Sequence, residues 1–227
     1  MKVLSFDVGI KNLAYCLLDT EDTQSEISDW GILNISVEPV CEHQIKGKCC
    51  DKTAKFTIGD VHLCPAHRNL KVYREQKAKK VPKIKNSLLA IGKNIVKILE
   101  DKPHFLESDV VLIENQPALK NPTMKSIQML VYSYFLVRGL TVDEYPLENM
   151  EMINARNKLK AYKGPAVPCI IQDKYKRTKF LGIEYCKHMI HNSQVSETFR
   201  EMFSQSKKKD DLADAYLQGQ YWIQTTK

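Results

Sequence analysis

The segment Lys2–Val8 (KVLSFDV) constrains the fold more than any other stretch. It is nearly all apolar and barely alternates, which is the pattern of a strand buried on both faces. Such a strand belongs in the middle of a sheet covered by helices. Asp7 interrupts it, just before Gly9. A carboxylate placed there resists desolvation unless a partner compensates it.

The remaining pattern extends this picture. Residues 12–19 and 29–37 read as strands, and the short joins predict an antiparallel meander. Residues 86–99 set Leu88, Ile91, Ile95 and Ile98 at helical spacing, and Pro103 stops the run. Residues 109–113 form a short apolar strand leading into Glu114. Asn121-Pro122 opens a helix over 123–138, with Gly139 beyond its end. Residues 140–145 read as a fifth strand, and 174–191 and 208–224 as the last helices. A β-meander followed by alternating helices and strands predicts an α/β fold: a mixed five-stranded sheet flanked by helices.

Residues 38–70 differ. They are rich in Cys, His, Lys and Gly and lack long apolar periodicity. They read as an insertion into a domain made of 1–37 and 71–227. Four of the seven cysteines lie between Cys41 and Cys64, a crowding that favours a metal over disulfides in a reducing compartment. Cys64-Pro-Ala-His67 has the two-residue gap of a chelating turn. Cys41 and one of Cys49 or Cys50 complete a tetrahedral Cys3His site; Cys50 is preferred, and His43 and His62 are substitutes. The expected ion is a structural Zn²⁺, because about 30 residues of this composition cannot fold on a core of their own. Cys16, Cys169 and Cys186 read as ordinary thiols.

Apolar residues make up 43% of the 227 and charged residues 27%, as in soluble globular proteins. No apolar run approaches the roughly 18–20 residues of a membrane span, and the N-terminus does not read as a signal segment. A soluble intracellular protein with no membrane partner is expected. The net charge of +7, from 34 Lys and Arg against 27 Asp and Glu, permits a polyanionic partner without proving one.

The acidic residues carry the chemistry. Asp7 and Glu114 end apolar strands, and Asp211 and Asp214 lie three apart in KKKDDLADAYLQ, on one face of a helix whose neighbours are small or apolar. Carboxylates facing a packed surface repel one another, and divalent cations relieve that repulsion. Hard oxygen ligands of this kind suit Mg²⁺, and two such ions polarise a phosphate and activate a water. Each residue also has a plain structural reading: Asp7 caps a turn, Glu114 pairs with a lysine, and the helical aspartates are solvated. Their combination in one chain favours the metal reading.

Three segments, FDVGIKNLAYCLLD, VLIENQPALKNPTMKSIQ and KKDDLADAYLQ, carry a more specific resemblance. The chain resembles the RuvC-type Holliday junction resolvases of the RNase H-like superfamily, and most of all their poxvirus-type members. The family pattern is an Asp in the first strand followed by Gly, a strand-ending Glu followed by a polar residue and Gln, and D-x-x-D-A in the last helix. All three occur here in order. The resemblance implies an RNase H-like fold and metal-binding carboxylates at Asp7, Glu114, Asp211 and Asp214, with Asp210 as the neighbouring alternative. It also implies two Mg²⁺ ions, with Mn²⁺ as a substitute, and lysines near the scissile phosphate at Lys158 and at Lys176 or Lys179. The cysteine-rich insertion departs from the family pattern.

A junction nuclease holds many phosphates through Lys and Arg. The basic supply lies at 71–85, 156–163, 174–179 and 207–209. Lys11, Lys176, Arg177, Lys207, Lys208 and Lys209 are the expected DNA contacts, against the alternative of a merely solvated surface. Tyr162, Tyr175 and Phe180 interleave with these charges and either stack on bases or pack in the core.

The resulting expectation is a metal-dependent, structure-selective endonuclease that resolves four-way and branched DNA by phosphodiester hydrolysis. In a virus it would act at the replication site in the host cell. Two symmetric cuts require two active sites, hence a homodimer. The 123–138 helix, apolar at Ile127, Leu130, Val131, Tyr134 and Phe135, supplies either its interface or plain core. Three rival readings stand beside this one. An actin-like ATPase lacks its second D-x-G hairpin here. A non-catalytic DNA-binding zinc protein would have no use for the carboxylates. A nuclease of RNA–DNA hybrids shares the fold but not the motif style.

Overall fold

The structure is a computed structural model, and it describes all residues except 22, 23, 37, 46, 51, 82–86, 143, 194 and 227. Three strands open the chain: β1 (Lys2–Val8), β2 (Asn12–Glu21) and β3 (Gln24–Asn34). Short elements follow: β4 (Gln44–Ile45), β5 (Lys48–Cys49), β6 (Phe56–Ile58), β7 (Val61–Leu63), the single turns α1 (Pro65–Arg68) and α2 (Lys71–Arg74), and β8 (Lys79–Lys80). Then come α3 (Leu88–Glu100), β9 (Val110–Glu114), α4 (Pro122–Phe135), β10 (Asn149–Ile153), α5 (Lys174–His191), α6 (Glu197–Gln205) and α7 (Lys209–Thr226). The chain divides into two compact units, one of Met1–Ile35 with Ile95–Lys227, the other of Ser36–Asn94.

The larger unit is built on a five-stranded sheet in the order β10-β9-β1-β2-β3. β2 runs antiparallel to β1 and β3, while β9 lies parallel to β1 and to β10. The expected mixed sheet is thus present, with β1 at its centre. Side chains alternate along β1 as the strand period requires. Phe6 faces an aromatic layer, its ring 5.9 Å from Phe105 and 5.5 Å from Phe135. Val3 faces the opposite layer, a core shared with Leu212, Ala215 and Ile223 of α7 and Cys186 of α5. Trp30 of β3 seals that layer, stacking on Phe203 at 5.1 Å and donating to the Leu212 carbonyl at 3.1 Å.

Two strand expectations shift. The third strand is Gln24–Asn34 rather than 29–37. Its first residues are polar, but pairing with β2 (Thr20↔Ser25, Asp19↔Glu26) holds them in an edge strand, where polar side chains are tolerated. The fifth strand is Asn149–Ile153, not 140–145. Leu140 ends a wide helical turn, Leu136–Leu140, that continues α4, and Tyr145 N–H closes a further turn on Val142. The true strand is an exposed edge with Asn149 and Met152 at the surface, so its sequence lacks the apolar signature. Helix α6 had no counterpart in the sequence reading; Ser196 caps it by accepting from Phe199 N–H.

The 123–138 helix resolves to core. Ile127, Val131, Tyr134 and Phe135 of α4 are buried within the single chain and Leu130 is half-buried, so most of the apolar face suggested for a dimer packs inside the chain itself. Asn121 caps α4 by accepting from Met124 N–H, with Pro122 in its first turn, as the sequence suggests.

The Ser36–Asn94 unit has two small sheets, β4-β5 and β7-β6-β8. The expected insertion, 38–70, lies inside this unit, which runs on to Asn94. One buried cluster in it is made of Cys41, Ile58, Leu63 and Cys64, with Cys50, Tyr73 and Ala78 packed against them.

Candidate active site and metal centres

Strand and helix geometry bring the acidic residues together. Val3, Ser5 and Asp7 share one face of β1 by the two-residue period. Gln218 of α7 donates to Ser5 Oγ at 3.1 Å and to the Phe6 carbonyl at 3.3 Å. Two residues further along β1 advance about 6.6 Å, and one turn back along α7 covers about 6 Å. Asp214 therefore falls opposite Asp7. Glu114 comes from the neighbouring parallel strand, one step beyond the Phe6↔Ile113 pair. Its own β10 partner is Ile153, after which Asn154 caps a 3-10 turn, Ala155–Ala161, that carries Lys158. Asp7, Glu114 and Lys158 thus sit at or just past the carboxyl ends of three adjacent parallel strands, the usual place for a site in an α/β sheet.

The cluster is tightly interlocked. The Asp7 and Glu114 carboxyl groups are in hydrogen-bond contact. Lys158 Nζ pairs with Asp214 Oδ2 and lies 3.9 Å from Glu114 Oε1. Lys158 itself is only 8% exposed. Gln116 donates to Glu114 Oε2 at 2.6 Å and to the Val8 carbonyl at 3.2 Å, and its backbone N–H reaches Gln128 Oε1 at 2.8 Å. Gln116 and Gln128 so fix the Glu114 carboxylate against the end of β1.

The electrostatics follow from crowding and burial. Burial pushes Asp7 well above the usual carboxylate range, and the bond to Glu114 and the charges of Glu114 and Asp214 add to it; Lys158 opposes. Asp214 is pushed up to about 6, mainly by burial, with Lys158 pulling it down and Glu114 and Asp210 pushing it up. Burial would lower Lys158, but Asp214, Asp7 and Glu114 outweigh it and hold the ammonium above its ordinary value. One cation among three carboxylates leaves an excess of negative charge in a desolvated pocket. Hard oxygen donors in that state fit divalent cations such as Mg²⁺.

The other residues singled out in the sequence have partners of their own or lie at the surface. Asp211 is half-buried with Lys208 as its partner at 3.5 Å. Asp210 pairs with Lys179 at 2.5 Å and is held below the carboxylate range, since that bond outweighs burial. Lys179 also sits 5.0 Å over the ring of Tyr175, which is 67% exposed. Lys11, Lys176, Arg177, Lys207 and Lys208 are exposed and Lys209 is half-buried. Tyr162 stacks on Tyr185 at 4.3 Å, which gives that ring a partner within the chain. Gln128 and Gln218 were missed. Their signal was available, as each is a polar side chain at a core-facing position of an apolar helix stripe.

In the smaller unit, Cys41, Cys50, Cys64 and His67 place one donor atom each within 4.8 Å of one another. All four are the residues selected from spacing. Cys41 Sγ lies 3.3 Å from His67 Nδ1. The Cys64 thiol is lowered: burial opposes this, but the His67 N–H, Cys41, the Ala66 N–H and Cys50 together favour the thiolate. His43 packs on the His67 ring at 4.3 Å, and His62 lies 3.7 Å from Glu42. Cys49 is exposed. Three soft sulfur donors and an imidazole at this separation fit a tetrahedral ion, and the thiols are free rather than paired as disulfides.

Comparison with known proteins agrees with the architecture. Residues 3–118, which include Asp7 and Glu114, match the sequence model of the family described as mitochondrial resolvase Ydc2 and RNA splicing MRS1. The chain is 26% identical to protein L451 of Acanthamoeba polyphaga mimivirus, covering 99% of this chain and 75% of L451. Its fold is similar to the yeast mitochondrial Holliday junction resolvase Ydc2 (TM-score 0.55, 16% identity, 97% and 78% of the two chains). It is also similar to Fowlpox virus resolvase solved with its substrate junction (0.52, 13%, 100% and 99%) and to Thermus thermophilus RuvC solved with a Holliday junction (0.52, 10%, 99% and 96%). The resemblance to RNase H-like resolvases drawn from three motifs is borne out, and the chain belongs to the family of mitochondrial resolvase Ydc2 and the RNA-splicing protein MRS1.

Proposed function

We propose that the chain is a divalent-metal-dependent, structure-selective endonuclease that hydrolyses phosphodiester bonds in four-way DNA junctions. The observation that carries this reading is the knot of half-buried Asp7, Glu114 and Asp214 around the buried Lys158 at the ends of parallel strands. The family name spans a resolvase and a splicing protein, so membership alone does not choose between cutting and binding. A protein that only bound nucleic acid would gain nothing from desolvated carboxylates beside a phosphate.

Asp7, Glu114 and Asp214 would hold Mg²⁺ or Mn²⁺, with Asp211 as a further ligand from the start of α7. A bound divalent pair supplies charge neutralisation at the phosphate and an acidified water. Lys158 stays protonated and keeps Asp214 in one orientation. Gln116 does the same for Glu114 while donating to the end of β1. Lys179, the half-buried Lys209 and the exposed cations Lys11, Lys176, Arg177, Lys207 and Lys208 would meet the phosphates on either side. Zn²⁺ in the Cys41, Cys50, Cys64 and His67 group would be structural. Two symmetric cuts call for a homodimer. The viral origin of L451 supports action on branched replication DNA.

The test is incubation of the full chain with a synthetic four-way junction and a matched linear duplex, with Mg²⁺ and without it. Paired nicks in the junction alone are expected, and Asp7→Asn should lower the rate at least about a hundredfold, equivalent to about 2.7 kcal/mol. Junction binding without any cut in the wild type would refute the enzyme. Cutting that survives Asp7→Asn would displace the active site from β1. Sedimentation of the wild type should report a dimer.

A further inference from the structure

The charge of the chain is divided unequally between its units. The Ser36–Asn94 segment carries thirteen Lys and Arg against five Asp and Glu, a net of +8. The rest of the chain carries 21 against 22, a net of −1. The whole basic excess therefore sits in a unit of 59 residues, and the unit that holds the carboxylate knot has none. We infer that the Ser36–Asn94 unit is the chain's duplex-binding arm, engaging the phosphodiester backbone of DNA through the basic run Lys71–Lys80. This deepens the nuclease reading and rests on it.

The run is exposed and held in place. Lys71, Arg74, Lys77, Lys79 and Lys80 are all exposed. Among the described residues, the only ion pair within it is Arg74 with Glu75 at 3.6 Å. Lys79 and Lys80 form β8, paired to Thr57 and Phe56 of β6, and Val81 N–H bonds the Lys55 carbonyl at 3.0 Å, so Lys55 joins the same cationic edge. Arg68 fixes the approach to that edge by donating to the Tyr73 carbonyl at 2.9 Å and the Gln76 carbonyl at 3.1 Å. Arg68 closes α1, the turn between Cys64 and Asn69 that also carries His67. With a cluster of only four buried side chains around it, two of them its own cysteines, the Cys3His group is what keeps these cations in one arrangement. Edge lysines also discourage strand pairing between chains, but one or two suffice for that. A net of +8 over a small unit points to a polyanion. Duplex DNA carries one charge per about 1.7 Å of axis, and a nuclease unit of net charge −1 offers it little long-range attraction.

The test compares wild type with Lys77→Gln/Lys79→Gln/Lys80→Gln and with a control of equal charge change, Lys97→Gln/Lys120→Gln/Lys187→Gln. Affinity for a linear duplex is measured by anisotropy across a salt series without added divalent ion, and the variant's zinc content and melting temperature check its fold. Each neutralised phosphate contributes about −0.9 to the slope of log K against log salt. The arm variant should lose about 2.7 units of slope and bind at least about tenfold more weakly at 0.1 M salt, with the control unchanged. An unchanged slope and affinity in a folded arm variant, with junction cutting intact, would overturn the arm while leaving the nuclease standing. So would lost binding to phosphatidylserine vesicles with DNA binding retained. Arm-dependent duplex binding in a wild type that never cuts junctions would instead overturn the nuclease.

Discussion

Desolvation pushes the half-buried Asp214 carboxyl from its ordinary 3.8 up to about 6, and Asp7 is raised for the same first reason. Between those values the folded chain binds more protons than the unfolded one. Stability of the metal-free protein should therefore fall as pH rises through that window and stay low above it. Divalent cations offset the repulsion only when the carboxylates are ionised. Thermal melts should show Mg²⁺ raising the melting temperature at about pH 7.5 and leaving it unchanged near about pH 4. Asp7→Asn keeps a polar partner for Glu114 and removes one desolvated charge, so its metal-free melting temperature at about pH 7.5 should rise by about 2–4 °C per kcal/mol recovered. Lys158→Met does the reverse. It leaves Asp214 without its cation and should cost about 3 kcal/mol at about pH 7.5 and less at about pH 4, where Asp214 is protonated. At this scale the sequence was informative wherever a charge stood in an apolar run, which located Asp7, Glu114 and Asp214. It was silent on Gln116 as a clamp, because a hydrogen bond to Glu114 depends on a loop path that no periodicity encodes.

Two helix glycines separate packing from propensity. A methyl group on Gly219 of α7 would stand 2.7 Å from Leu18 Cδ1 and 3.3 Å from Ser5 Cβ, both fully buried. The missing side chain lets α7 lie close on β1 and β2. Gly219→Ala should lower the melting temperature by a few degrees, because overpacking by about 1–3 kcal/mol exceeds the helix propensity gained. Gly182 of α5 has room, as its methyl group would meet Asp214 Oδ1 at 3.5 Å. Gly182→Ala should keep or raise stability by up to about 1 kcal/mol, measured by the same denaturation. Elements with a buried apolar face were legible in advance: β1, β9, α5 and α7 lie within one or two residues of their expected bounds. Edge elements were not. β10 is polar because it is an edge strand, while the β-branched Thr141 bonds the helix end instead, its N–H to the Leu136 carbonyl and its hydroxyl to the Val137 carbonyl.

For the molecule as a whole, the two units rest on different physics. The larger one buries layers of aromatic and aliphatic side chains on both faces of a sheet. The smaller gathers a small buried cluster around four potential donor atoms, and Zn²⁺ there would be its main staple. A thiol-directed chelator should therefore melt the Ser36–Asn94 unit alone, seen as new cysteine reactivity at Cys41 and Cys64 with near-native signal from Trp30 and Trp222 in the larger unit. The Cys3His group was legible because spacing in a turn dictates chelation. The extent of its unit to Asn94 was not, since β8 joins by pairing rather than by composition. The carboxylate knot also has a consequence for biosynthesis. Its parts come from residues 7, 114, 158 and 214, and α7 leaves the ribosome after every other element that builds it. A nascent or prematurely terminated chain has Asp7 and Glu114 but no Asp214 against them, so the proposed cutting would begin only once α7 is made. Truncation before α7 should give no cutting at any Mg²⁺ concentration, even when the truncated chain still binds DNA.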